Sequence, residues 1–263
     1  MLSFHKKLYH LKMRVSKEGE YIYGWQPIWE ALNHRPETID ILFLAEDLSS
    51  SKKKRLLSLA KEKGVRIKFR PTSYFDSLVK KAGHKIIHQG VVGLLKQYKE
   101  AHLEDILAQK PTLLLALDHI QDPQNLGNII RTATAFGVEG IIMPKDRAAR
   151  VTPTVIKASA GTALRMPIVQ VANLAQTLEM LKENGLWVVG TMARGEIPVW
   201  EVPHDLPLVI VVGHEHKGLS RLIKEKCDFL VTIPMQKDID SLNVASATAI
   251  CLYEIWRKKV KNA

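Results

Sequence analysis

Leu208-Val209-Ile210-Val211-Val212-Gly213-His214-Glu215-His216-Lys217-Gly218-Leu219-Ser220 is an apolar strand running into a glycine-flanked polar loop. An uninterrupted apolar run has no solvent face, as expected of a strand covered on both sides in a parallel sheet. The loop falls at the strand's carboxyl end, where open α/β sheets place ligands and where glycine lets backbone approach them closely. The spacing imitates a phosphate-binding P-loop, but Leu219 stands where that motif needs lysine and Lys217 falls two residues early. This argues against a nucleotide triphosphatase. His214-Glu215-His216 is no zinc motif either, because HExxH needs histidines four apart on a helix. Glu215 is a ligand or a strut for a neighbouring cation; a turn carrying a solvated acid accounts for the glycines equally well.

Outward from this strand the chain alternates. Before it come strand Thr112–Leu117, helix Leu126–Phe136, strand Gly140–Met143, helix Thr154–Ala160, strand Ile168–Val171, helix Leu174–Glu183 and strand Leu186–Gly190. After it come a helix, strand Phe229–Ile233 and helix Val244–Lys258. Such alternation predicts an α/β domain with a mostly parallel sheet and helices on both faces. Residues 21–95 read as a second, smaller α/β segment. Its elements are a short helix with Pro27 in its first turn, strand Asp40–Ala45, helix Ser50–Lys63 and strands Val65–Phe69 and Gly90–Leu95. Residues 96–110 are mostly polar, with Leu103, Ile106 and Leu107 suited to one short amphipathic helix. They form the join before a domain at 111–263.

The chain has 263 residues and a formal net charge of +11 at pH 7. That balance favours a polyanionic partner, since lysine and arginine gain affinity by displacing counterions from phosphates. The Lys-rich stretch around Lys52, Lys53, Lys54, Lys61, Lys63 and Lys68 is either an RNA-facing patch or a solvated helix face. Residues 1–20 carry Lys6, Lys7, Lys12, Arg14 and Lys17 and read as a basic arm suited to RNA contact. No apolar run approaches the roughly 18 residues of a membrane span, so a cytoplasmic location is expected, without a membrane partner. Cys227 and Cys251 lack any CxxC or CxxH spacing and read as buried thiols of a reducing compartment.

Two further polar clusters carry chemistry. Asn125-Leu126-Gly127-Asn128-Ile129-Ile130-Arg131 follows a strand, and Asn125 is a good N-cap for a helix beginning at Leu126. Arg131 falls among Leu126, Ile129, Ile130 and Ala133, an apolar setting in which a guanidinium needs a partner. It either ties loops together or contacts an anion or hydroxyl; Asn128 shares its face. Ser241-Leu242-Asn243 forms the last cluster.

Taken in order, the clusters carry a resemblance. The set is Asn125-x-Gly127-x-x-x-Arg131-Thr132-Ala133-x-x-Phe136-Gly137, Gly213-x-Glu215-x-x-Gly218-Leu219-Ser220, Ile233-Pro234-Met235 and Ser241-Leu242-Asn243-Val244-Ala245. It resembles the three motifs of the SpoU (TrmH-like) branch of the SPOUT RNA methyltransferases, over Thr112–Glu254. Three spaced motifs are far more specific than one. More loosely, Tyr23-Gly24, Glu30-Ala31-Leu32 and His88-Gln89-Gly90-Val91-Val92 resemble the substrate-binding domain of its ribosomal RNA guanosine 2′-O-methyltransferases.

The resemblance implies an α/β SPOUT domain with a carboxyl-terminal trefoil knot, preceded by a small α/β RNA-binding domain, and a homodimer with its active site near the interface. It implies S-adenosylmethionine bound against loops around Thr191, Gly213–Gly218 and Ile233–Leu242. The cofactor-binding residues would be Thr191, Gly213, Gly218, Ile233, Met235 and Leu242. The substrate would be a ribose 2′-hydroxyl of large-subunit (23S) ribosomal RNA guanosine; transfer RNA, or a noncatalytic ribosome-assembly role on the same fold, are the alternatives. In that family the motif arginine, here Arg131, removes the hydroxyl proton. Because a guanidinium holds its own proton at neutral pH, orientation and electrostatic stabilisation are the other role open to it. Asn125 would position Arg131, Glu215 would hold the loop network, and Ser241 with Asn243 would contact hydroxyl and phosphate. The sulfonium charge disappears during transfer, so an apolar wall of Ile233, Met235 and Leu242 would favour the less charged transition state. Many members have serine directly after Ser-Leu-Asn-Val; here Ala245 precedes Ser246.

Overall fold

The computed structural model describes residues 20–261 apart from 49, 83–86, 97, 204, 215–217, 237 and 239. The basic arm, except Glu20, and Glu215 therefore lie outside the described residues.

The first segment comprises β1 (Tyr21–Tyr23), α1 (Trp25–His34), β2 (Ile39–Ala45), α2 (Ser50–Glu62), β3 (Arg66–Arg70), α3 (Thr72–Ala82) and β4 (Val91–Leu95). Its sheet has the order β1-β4-β2-β3, with β3 parallel to β2 and the other pairs antiparallel. Alternation along β2 sends Leu42 and Leu44 towards α1 and α2, and Phe43 and Ala45 towards Phe75 and Leu78 of α3. Each fully buried leucine or phenylalanine side chain here contributes about 1.5–3 kcal/mol. β3, at the sheet's edge, exposes Arg66, Lys68 and Phe69, charges that discourage pairing with another strand. The sequence reading passed over β1 and α3.

After a short α4 (Leu103–Leu107) come β5 (Leu113–Leu117), α5 (Pro123–Ala135), β6 (Gly140–Pro144), α6 (Pro153–Ala158), β7 (Ile168–Val171), α7 (Leu174–Glu183), β8 (Trp187–Met192), β9 (Ile197–Pro198), β10 (Leu208–Val212), α8 (Arg221–Lys224), β11 (Phe229–Thr232) and α9 (Val244–Lys261). The seven strands are all parallel, in the order β7-β6-β5-β10-β8-β11-β9. Every residue of β5, β6 and β10 is buried, the result of helices covering both faces. Leu113, Leu115 and Leu117 pack under α5, α6 and α9; Leu114 and Ala116 pack under α4, α7 and α8. From β5 the chain moves outward to β6 and β7, then returns on β5's other side. The site lies at the carboxyl ends beside that reversal.

The small segment is packed against the large one. Its α1 side shares a continuous apolar core with the α5–α6 layer, and Arg165 Nε lies 3.9 Å from Glu30 Oε2. No helix among the described residues is long and apolar enough to cross a membrane.

One expectation is corrected here. The helix carrying the first cluster begins at Pro123, and its N-cap is Asp122, whose carboxylate accepts from the backbone N–H groups of Gln124 (3.2 Å) and Asn125 (3.1 Å). Proline fits the first helical position because it lacks the N–H that would go unpaired there. Asn125 thus sits within the first turn, with its side chain available for other work.

Candidate active site

A cavity of about 500 Å³ opens at the carboxyl ends of β10, β8 and β11, a size suited to a nucleoside-scale ligand. Thr191, Gly213, Gly218, Ile233, Met235 and Leu242 all line it. Three separate stretches of chain meet there, one after each of β8, β10 and β11. Thr191 is held by its hydroxyl, which donates to the Val211 carbonyl at 3.1 Å. Ser241 joins the lining.

The loop after β10 is closed tightly on itself. His214 N–H donates to Gly218 O at 3.0 Å and Gly218 N–H returns to His214 O at 2.8 Å. A Cβ at position 213 would come within 2.2 Å of the Gly218 carbonyl carbon and 2.3 Å of Leu219 N. Backbone occupies that space, so only glycine fits. His214 and Gly218 thus form the ends of a small loop, whose interior residues Glu215, His216 and Lys217 lie outside the described residues.

Asp118, at the end of β5, anchors that loop from behind. It is 2 % exposed; Oδ2 accepts from Ser220 N–H at 2.9 Å and Oδ1 lies 2.6 Å from His119 Nδ1. A buried carboxylate is tolerated only when its oxygens are hydrogen-bonded in this way. His119 adopts a left-handed φ of 63°, a strained conformation for a residue with a Cβ. Sequence reading did not single out this pair. The available signal was a lone acid ending an otherwise wholly apolar strand.

Asn243 stands between Leu242 and Val244, which line the cavity, but neither it nor Asn125 does so; the Asn243 amide instead makes two connections. Its Oδ1 accepts from the N–H groups of Ala245 (2.9 Å) and Ser246 (3.3 Å), capping α9, and its Nδ2 donates to Asn125 Oδ1 at 3.1 Å. The first and last clusters, 118 residues apart, are therefore joined directly. Position 127 explains how α5 comes to lie there. A Cβ on Gly127 would meet Ala158 Cβ at 2.4 Å and the Val155 O and Ser159 N atoms at 3.0 Å, so α5 rests directly on the backbone of α6.

Arg131 corrects an expectation. It is exposed rather than buried, lies outside the cavity lining, and makes no hydrogen bond or ion pair with a described residue. Its apolar neighbours in sequence, Ile129, Ile130 and Ala133, point into the core and leave Arg131 on the outer face with the exposed Asn128. Beyond it, Phe136 stacks edge-on with Tyr253 of α9 and against Trp256. Along α9, Ile250, Tyr253, Trp256 and Val260 are exposed.

The cavity's apolar walls include Val212, Leu219, Val231 and Ile233, and its charged side chains among the described residues include Arg194, Lys224 and Asp240. This donor set fits a nucleoside bearing a charged tail. Cys251 also lines it, and burial pushes its thiol up to about 12, so it is neutral and unreactive at physiological pH.

Residues 112–253 match the profile of the SpoU rRNA Methylase family, and residues 21–101 match that of RNA 2′-O ribose methyltransferase substrate binding. Among relatives, the 23S rRNA (guanosine-2′-O-)-methyltransferase RlmB of Pseudomonas putida is 40% identical over 245 residues, covering 91% of this chain and 97% of that protein. YacO of Bacillus subtilis, named for the TrmH family of tRNA/rRNA methyltransferases, is 38% identical over 250 residues, covering 93% and 98%. Among solved structures, the SpoU methyltransferase AviRb of Streptomyces viridochromogenes, in complex with AdoMet, superposes with a TM-score of 0.76 at 25% identity, covering 93% of this chain and 92% of that one.

Proposed function

The chain belongs to the SpoU rRNA methylase family, and we propose that it methylates the ribose 2′-hydroxyl of a guanosine in large-subunit (23S) ribosomal RNA. It is an S-adenosylmethionine-dependent RNA 2′-O-ribose methyltransferase. The observation that carries the finer reading is the full-length similarity to RlmB, which extends through the small segment as well as the catalytic one.

S-adenosylmethionine supplies an activated methyl group on a sulfonium. The chain's residues do the rest. Thr191, Gly213, Gly218, Ile233, Met235 and Leu242 enclose the cofactor, and their apolar atoms exclude water and favour loss of the sulfonium charge. The 2′-hydroxyl must lose its proton as it attacks in line. We assign Arg131 to orient that hydroxyl and stabilise the developing oxyanion, or to accept its proton. Asn125 and Asn243, held at 3.1 Å, fix the α5–α9 edge, while Ser241 presents a hydroxyl and Glu215 steadies its loop. Residues 21–95 form the substrate-binding domain, linked by 96–110 to the catalytic domain at 111–263. The exposed Arg66, Lys68 and Phe69 on its sheet edge offer charge and a stacking ring to RNA.

The working unit in this reading is a homodimer. Its support is the exposed apolar stripe Ile250, Tyr253, Trp256 and Val260 on α9, beside Phe136 and on the same layer as Arg131. The test of function is transfer from labelled S-adenosylmethionine to unmodified large-subunit ribosomal RNA, with the product mapped by alkali resistance of the 2′-O-methylated linkage. A single mapped guanosine is expected. Transfer to tRNA alone would move the assignment to the tRNA reading, and tight RNA and cofactor binding without transfer would favour an assembly factor.

A further inference from the structure

We propose that residues 145–165 carry a track for the RNA backbone, leading from the small segment to Arg131 of the same chain; it rests on the reading that this chain methylates ribosomal RNA through Arg131. The stretch holds Lys145, Arg147, Arg150, Lys157 and Arg165, all exposed, against a single acid, Asp146. Of the five cations, only Arg165 makes an ion pair with a described residue, with Glu30 at 3.9 Å. The layer of α7 and α8, on the other face of the sheet, is built differently. There Lys182 pairs with Asp228 at 2.7 Å, Lys226 with Glu179 at 3.0 Å and Arg221 with Glu225 at 2.8 Å. The elements beside the 145–165 stretch offer no such neutralisation. Neither α5 nor β1 contains an acid, and the Asp122 carboxylate is engaged in capping α5.

The stretch touches both of the places it would connect. Its first loop is fastened to the residues that lead into α5: Ala149 N–H donates to Ile120 O at 2.8 Å and Gln121 Nε2 to Arg147 O at 3.3 Å. Arg147 is held there at a φ of 54°, in the left-handed region that a residue with a Cβ seldom adopts. Next, α6 buries Val155 and Ile156 and leaves Lys157 outside. Lys157 adjoins the point where α6 touches α5, because its neighbour Ala158 is the residue that meets Gly127. Beside Gly127 is the exposed Asn128, and Arg131 lies about one turn further along that face of α5. At the far end, α6 packs on β1, and a Cβ on Gly161 would come within 2.8 Å of both Pro27 Cα and Glu30 Cβ of α1. Unpaired cations therefore run from the docked small segment to the face that carries Arg131. Contacts to phosphates along such a line hold an RNA chain in register without reading its bases, which is what placing one ribose at Arg131 requires.

The test uses the full chain, unmodified large-subunit ribosomal RNA and the triple variant Arg147→Gln/Arg150→Gln/Lys157→Gln. Each phosphate contact contributes roughly 0.7–0.9 to the slope of log affinity against log salt, so the variant's slope should be shallower by about 2. Its KM for RNA should rise at least about tenfold, with kcat at saturating RNA and the affinity for S-adenosylhomocysteine unchanged; the latter also reports an intact fold. The charge-matched control Lys182→Gln/Arg221→Gln/Lys226→Gln should keep the wild-type slope and KM. A photocrosslinker placed at position 157 should map nearer the methylated nucleotide than one placed at position 165. An unchanged slope and KM, an equal loss in the control, a matching loss of S-adenosylhomocysteine affinity, or the reverse order of crosslinks would overturn the track while leaving the enzyme's assignment in place. A wild-type chain that neither binds nor methylates this RNA overturns the ribosomal RNA reading, and the track with it.

Discussion

Gly127→Ala sets two opposing effects against each other at one position. In the interior of α5, alanine is favoured over glycine by about 0.8–1 kcal/mol from helix propensity, so a local argument expects stabilisation. The tertiary contact opposes it. The new methyl would sit 2.4 Å from Ala158 Cβ, where carbon atoms normally rest about 3.5–4.0 Å apart, so α5 and α6 must separate by about 1 Å or more. Ala158 has no rotamer to escape into, and the Val155 O and Ser159 N atoms at 3.0 Å are backbone. Overpacking of this kind costs about 1–3 kcal/mol and occasionally more, which outweighs the propensity gain at most of that range. The separation also reaches the site. The Asn243–Asn125 hydrogen bond, at 3.1 Å, tolerates only about 0.4–0.5 Å of stretch before it is lost. The variant should therefore unfold at lower urea and transfer methyl groups more slowly, while binding cofactor nearly as well. Adding Ala158→Gly should restore part of the stability, with a coupling of about 0.5–3 kcal/mol in the double-mutant cycle. A Gly127→Ala protein stabilised by the propensity increment, or additivity with Ala158→Gly, would refute the close packing of these helices.

Arg131→Ala should change stability by less than about 0.5 kcal/mol, as an exposed side chain without a described partner, and should abolish methyl transfer with cofactor affinity intact; retained turnover would remove Arg131 from the mechanism. Asp118→Ala leaves the Ser220 N–H without its acceptor and should cost roughly 2–3 kcal/mol in urea unfolding, weakening cofactor binding through the Gly213–Ser220 loop; Asp118→Asn keeps one acceptor and should lose less. Burial pushes both cysteine thiols up to about 12, so the folded state holds their protons when the unfolded chain, titrating near 8.5, has released them. Stability should accordingly be full below about pH 8.5 and decline as pH rises towards 12, with a shallower decline in Cys251→Ala measured by urea midpoints.

Much of the architecture was legible in sequence because parallel strands are buried on both faces and so announce themselves as unbroken apolar runs. β5 and β10 are plain examples. The pieces that escaped were short or marginally apolar. β9 has two residues, β1 has three, and α3, among its residues whose burial is described, places Phe75 and Leu78 in the core. The helix start was misplaced because Asp122 and Asn125 are both competent caps. Pro123 between them was the deciding signal, since proline belongs at the first helical position.

By itself the sequence determined the alternation of strands and helices, the glycine-flanked loop after β10 and the identity of the polar clusters, because these depend on local periodicity and on backbone conformations a few residues long. Only the tertiary structure decided which clusters meet. Asn125 and Asn243 share a hydrogen bond across 118 residues, Asp118 reaches the loop at Ser220 across 102, and Gly127 is glycine because of a helix thirty residues further on. The exposure of Arg131 was likewise beyond the sequence. An apolar neighbourhood along the chain fixes which helix face is buried, but whether a given side chain lies on that face depends on where the helix starts and what it packs against.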